Sequence, residues 1–172
     1  RLMLKDKTKK KKNSLTYAAV TIGIIIVVLS VLFTYSGDQT KIKGQMFGEK
    51  LQVIQDDLKI TTHAFDSKLS MFKEGSLGKN SFLEFAKKHE GEMNRLISLY
   101  DGLQIVKGFE TAVDLFKLST ETQLESDRQM IEWVKTGNDA AHIRSDILLQ
   151  ESIEYELAAL TEYKLAQGTI KP

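Results

Sequence analysis

The chain has no cysteine, and its single proline is the last of its 172 residues, Pro172. Without thiols no disulfide can brace the fold and no thiolate can act as nucleophile or metal ligand, so stability has to come from packing. Without an internal proline no helix is broken by a missing donor or a ring clash, and long helices are permitted throughout. Aromatic residues make up only 8% of the chain, with one tryptophan, Trp133. There is no Gly-x-Ser-x-Gly elbow, no His-Glu-x-x-His pair and no phosphate-cradling glycine loop, the arrangements that nucleophilic, zinc-hydrolase and nucleotide chemistry use. The expectation is a protein that is not an enzyme and carries no cofactor.

What the chain does hold is a long apolar run near its beginning. Leu15 to Tyr35 is 21 residues without a charge. As a helix it would measure about 32 Å, close to the hydrocarbon thickness of about 30 Å. The division expected is a basic cytoplasmic tail over 1–13, a transmembrane signal-anchor helix over 14–36, and an extracytoplasmic domain over 37–172. Charge gives the span a direction: residues 1–13 hold seven Lys/Arg against one Asp, and residues 36–172 hold 17 Lys/Arg against 22 Asp/Glu. Basic flanks are retained on the cytoplasmic side, so the tail is expected inside and the domain outside the cell membrane, in a single pass. Lys5, Lys7, Lys9, Lys10, Lys11 and Lys12 then meet anionic headgroups of the lipid bilayer, which accounts for them without a nucleic-acid partner. Two other readings of the run are a signal peptide cleaved before Gly37, whose Thr34-Tyr35-Ser36 departs from the small-x-small pattern only by lacking Ala, and a pilin-like site near Lys12-Asn13-Ser14-Leu15, which lacks the small Gly or Ala and the early acid that such sites use.

Downstream, glycines fall where helices would end: Gly75, Gly78, Gly108, Gly137 and Gly168. They divide the domain into four helical segments. The first, about 40–73, repeats Phe47, Leu51, Ile54, Leu58, Phe65, Leu69 and Phe72, with a second stripe of Met46, Val53, Ile60, Ala64 and Met71 expected to widen the core face. The second opens on a capping-box pattern, Ser81-Phe82-Leu83-Glu84, and holds a helical period from Phe82 through Val106, with a break considered at Asp101-Gly102. The third, 109–135, repeats Phe109, Val113, Phe116, Thr120, Leu124, Ile131 and Val134. The fourth starts with Asn138 or Asp139 as N-cap and runs to about Gln167. It is apolar on two sides, with Ile143, Ile147, Ile153, Leu157 and Leu160 on one and Ala141, Leu148, Tyr155, Ala159 and Tyr163 on the other. The fold class expected is all-α, an antiparallel four-helix bundle of long helices behind the spanning segment.

The histidines are the natural places to seek chemistry. Asp139, His142 and Asp146 share one helix face at metal-competent spacing, but a carboxylate-bridged di-iron bundle needs paired Glu-x-x-His motifs and the chain has none. An acidic first helical turn beside an exposed histidine accounts for them. His89, on the apolar stripe between Phe85 and Met93, and His63, beside Ala64 and Phe65, read as half-buried helix residues. Glu151, Glu154, Glu156 and Glu162 read as solvated. Leu148, Tyr155, Tyr163 and Trp133 are the candidate partner contacts, with Trp133 also placed at a core edge.

These features point to an interaction protein, an accessory or assembly subunit beside other membrane proteins or a self-associating surface component. A spanning helix passing almost directly into a first bundle helix also resembles, in layout, the extracytoplasmic four-helix bundles of bacterial and archaeal chemoreceptors. That resemblance implies a sensory or ligand-binding module. The second spanning helix and cytoplasmic signalling region of such receptors are not in this sequence.

Overall fold

A computed structural model describes residues 38–169 and the side chains of 43–168. The basic tail, with its six lysines, and the apolar run over 14–36 lie outside the described residues. Among the described residues there are four helices and no strand: α1 Asp38–Lys73, α2 Lys79–Asp101, α3 Glu110–Thr136 and α4 Asp139–Thr169. None of these helices is long and apolar enough to cross a membrane.

Each helix runs antiparallel to the next, as short connections require. The cross-helix partners show the register. Asp57 meets Arg95 and Gln55 meets Tyr100 between α1 and α2. His89 meets Asp127 and Glu90 meets Arg128 between α2 and α3. Ser119 meets Ser152 and Ser126 meets Ser145 between α3 and α4. The turn into α4 depends on Gly137, whose φ of 71° is a left-handed conformation that a Cβ would oppose; its N–H donates to the Trp133 carbonyl at 2.7 Å. Asn138 then caps α4, its Oδ1 accepting from the Ala140 N–H at 3.0 Å.

Three expectations are corrected. Helix α2 begins at Lys79 with Gly78 as N-cap and no side-chain cap bond, so Ser81 and Glu84 lie inside the helix and do not form a capping box. The helix also ends at Asp101, with Gly102 as C-cap, and Leu103, Ile105 and Val106 pack half-buried from the following loop instead of continuing the helix. The second stripe of α1 does not widen the core: Met46, Val53 and Ile60 are 46%, 55% and 67% exposed. At 100° per residue that stripe lies more than about 100° from the buried Phe47, Leu51 and Phe65, too far round to reach the bundle interior.

The interior has two apolar clusters. One gathers Phe47, Leu51 and Ile54 of α1, Tyr100 of α2, Phe109, Ala112, Val113 and Phe116 at the start of α3, and Ala159, Leu160, Tyr163 and Ala166 of α4. The other, at the opposite end, consists of Phe65 and Leu69 of α1, Phe82 and Ala86 of α2, and Met130, Ile131 and Val134 of α3. The second cluster is a three-helix core. The first half of α4 therefore lies outside it and is held mainly by α3.

Candidate functional site

Helix α4 meets α3 through small residues at seven-residue spacing: Ala112, Ser119 and Ser126 on α3 against Ser145, Ser152, Ala159 and Ala166 on α4, all buried. Small side chains let the two backbones approach closely, and the serines use that approach. The Ser119 hydroxyl donates to the Ser152 carbonyl and the Ser152 hydroxyl to the Ser119 carbonyl, each at 2.8 Å. One turn pair away, Ser126 Oγ donates to the Ser145 carbonyl at 2.8 Å. Buried hydroxyls thus have partners without any larger polar group, and α3 and α4 form the tightest pair in the bundle.

The opposite side of α4 is open and carries four large aliphatic residues, with Gln150, Glu154 and Thr161 exposed among them. Ile143, Ile147, Leu157 and Leu165 are 60%, 61%, 45% and 59% exposed. At 100° per residue they fall within a sector of about 80°, facing away from the serine and alanine seam. Four large exposed aliphatic side chains are aligned along one side of the helix, an alignment that scattered exposure of single residues would not show. Of the side expected to hold Ile143, Ile147, Ile153, Leu157 and Leu160, the first two and Leu157 are exposed, whereas Ile153 is half-buried and Leu160 buried.

The four candidate contact residues are placed differently from this stripe. Leu148 is half-buried, and Tyr155 is half-buried with its hydroxyl donating to Glu151 at 2.9 Å. Tyr163 is fully buried, its ring edge-on to Phe109 at 4.9 Å, so it belongs to this chain's own core. Among the described residues its hydroxyl has no hydrogen-bond partner. Trp133 is half-buried at a core edge, packed edge-on against His142 at 4.9 Å and Phe72 at 6.3 Å, with the Lys73 ammonium 5.5 Å from its centroid.

The second feature is polar and interior. The His89 imidazole and Asp127 carboxylate are buried, and His89 Nε2 lies 2.7 Å from Asp127 Oδ2, joining α2 to α3. Gln123 Nε2 donates to the other Asp127 oxygen at 2.9 Å. From α1, Thr61 Oγ1 lies 3.5 Å from His89 Nδ1, and Phe65 stacks on the imidazole with centroids 4.5 Å apart. Phe85 also stacks, at 6.2 Å. Burial pushes the Asp127 carboxyl above the usual carboxylate range, and the bond to His89 opposes that shift. Asp66 of α1 is near enough to feel both groups: burial and then the Asp127 charge push it up to about 6, while His63, His89 and Lys73 pull the other way. Asp66 is exposed as a whole, so water screens part of this effect. Towards the other end, Gln55 Nε2 donates to Tyr100 Oη at 2.8 Å, Tyr100 Oη lies 3.0 Å from Thr120 Oγ1, and Thr120 donates to the Phe116 carbonyl. Glu156 of α4 is half-buried, and burial lifts its carboxyl to about 7.

No family model, no curated protein and no solved structure matches the chain. The site therefore has to be read from its own chemistry. Among the described residues no cluster of three or more His, Asp or Glu side chains is placed to hold a metal ion. His142 Nδ1 pairs with Asp146 at 3.3 Å within one helix, and Asp139 is exposed at the helix start. His63 is exposed, whereas His89 is more deeply buried than its sequence setting implies. Its partner Asp127 was overlooked, yet the signal was present: it occupies the gap in the stripe Val113, Phe116, Thr120, Leu124, Ile131, Val134. An acid at a core register position beside a histidine at another is a readable sign of a buried pair.

Proposed function

We propose that this chain is a membrane-anchored, extracytoplasmic helical-bundle protein that acts by protein contact, not by catalysis, as an accessory or assembly subunit of a membrane or cell-surface complex. The observation that carries the reading is the outward stripe of Ile143, Ile147, Leu157 and Leu165 on α4. The anchor rests on the uncharged run Leu15 to Tyr35 and its direction on the lysines before it. The partner is another membrane-protein subunit or a further copy of this chain. Native mass measurement of the full chain, extracted from its own membrane in mild detergent, tests this. An assembly heavier than the monomer is expected for the natural chain and a monomer for the Ile143→Glu, Ile147→Glu variant. A monomer in both cases removes the reading.

A second reading, a sensory module of chemoreceptor-like layout, is favoured by one observation. Helix α1 starts at Asp38, three residues beyond the last residue of the apolar run, and continues for 36 residues. A displacement at the span would pass directly into the bundle. Binding of a small ligand to the isolated full chain, seen as a rise in melting temperature across a panel of amino acids and organic acids, would favour it; no rise with any member counts against it.

A further inference from the structure

The outward row of α4 has an order of its own. Ile143, Ile147, Gln150, Glu154, Leu157 and Thr161 are all exposed, and they follow one another at steps of four and three. That alternation is the spacing at which one helix keeps a single seam against another. The row is polar at its centre, where Gln150 Nε2 donates to Glu154 at 3.2 Å along the helix, and less polar on either side. The Thr161 hydroxyl donates to the Leu157 carbonyl at 2.9 Å and needs no further partner. Asp139 and Lys164, both exposed, stand beyond the two ends of the row.

The polar residues select what covers this row. Against a plain apolar surface Glu154 would lose water at the middle of the contact and gain nothing in return. Against a parallel second copy every charge meets its own kind, Glu154 opposite Glu154 and Lys164 opposite Lys164. An antiparallel second copy, related by a two-fold axis at the height of Ser152, reverses the order of the row. Ile147 then opposes Leu157, Ile143 opposes Thr161 and Gln150 opposes Glu154, each contact made twice as two-fold symmetry requires. Lys164 of each copy comes beside Asp139 of the other. One like-charge approach is left, Glu151 to its own mate, at the flank of the seam where water and salt screen it.

We propose that α4 pairs antiparallel with α4 of a second copy of this chain, in the register that sets Ile147 against Leu157 and Gln150 against Glu154. The proposal rests on the reading of the α4 stripe as a contact surface and names its occupant. It has a consequence for the whole assembly. Phe47, near the α1 start, shares a core cluster with Tyr163 and Ala166, near the α4 end, so an antiparallel pair holds its two α1 starts at opposite ends. With a span preceding each α1, the pair joins chains anchored in two facing membranes.

Cross-linking tests the register, because the chain has no cysteine and introduced thiols are the only ones. The full chain is used in mild detergent with a short bismaleimide, and every substitution falls on an exposed position. Ile147→Cys mixed with Leu157→Cys, one of the two carrying a mass tag, is expected to give the mixed dimer. Ile143→Cys alone is expected to give at least several-fold less, since its two thiols would stand about 27 Å apart along the pair. Ile143→Cys linking to itself as strongly as the mixed sample overturns the proposal in favour of a parallel pair. No dimer in either sample also overturns it. Neither result decides the contact reading, which stands or falls on the native mass: a heavier assembly without the mixed cross-link assigns the stripe to a different partner.

Discussion

At the scale of single residues, the polar groups inside this bundle set its sensitivities. Asp127 is buried and bonded to His89 and Gln123, so Asp127→Ala leaves the imidazole without its partner. A loss of roughly 3–5 kcal/mol is expected in urea unfolding, typical of breaking a buried pair from one side. Tyr163 behaves in the opposite sense. Its ring fills the core between Phe109 and Phe116 while its hydroxyl has no partner among the described residues. Tyr163→Phe keeps the ring and deletes an unsatisfied donor, and an unchanged or higher melting temperature is expected, with a gain of up to about 1 kcal/mol. Glu156 gives a pH dependence of definite sign. Burial raises its carboxyl from 4.5 to about 7, so its protonated form suits the fold; the contribution is full below about pH 4.5 and is lost as pH rises through about 7. Glu156→Gln is expected to match the natural chain at about pH 4 and to exceed it at about pH 8, by up to about 3 kcal/mol in urea unfolding.

At the scale of elements, the tight α3–α4 pair contrasts with the more loosely approached α1 and α2. Seven-residue repeats of serine and alanine leave no room at the seam. Ser152→Leu would insert a branched chain against Ser119 and remove the hydrogen bond that the Ser152 hydroxyl donates to the Ser119 carbonyl. A loss of roughly 2–4 kcal/mol in urea unfolding is expected from overpacking and the lost bond together, whereas Ile143→Ser on the outer stripe is expected to leave stability within about 0.5 kcal/mol. The two substitutions lie on opposite sides of one helix. Their contrast therefore tests the register directly.

For the whole molecule, the consequence is a division of labour along the bundle. Near the α1 start all four helices contribute to one core; at the far end α1, α2 and α3 close a core among themselves and α4 lies outside on its seam. The outer stripe of α4 is therefore available over nearly its whole length. If that stripe is covered in the assembled state, its apolar side chains should be protected there. On the proposed reading of a membrane-anchored assembly, hydroxyl-radical footprinting of the full chain in a membrane is expected to label Ile143, Ile147 and Leu157 less than in the detergent-dispersed monomer; equal labelling would remove the stripe as a contact.

The sequence by itself determined the class of fold and most of its boundaries. The absence of internal proline, the spacing of the glycines and the apolar periods of Phe47–Phe72 and Phe109–Val134 sufficed for four helices, and Asn138 was recognisable as a cap because a side-chain oxygen there meets a free backbone N–H. Periodicity states that a stripe is apolar but not what it faces. Only the tertiary structure decided that Met46, Val53 and Ile60 look outward, that Tyr163 lies in the core while Ile143 does not, and that Asp127 meets His89. The physical reason is distance across helices: burial and pairing depend on the angle at which one helix meets another, and that angle is set by packing of all four together. Small residues at the α3–α4 seam drew those two helices close, and this closeness turned one apolar side of α4 inward and left the other open.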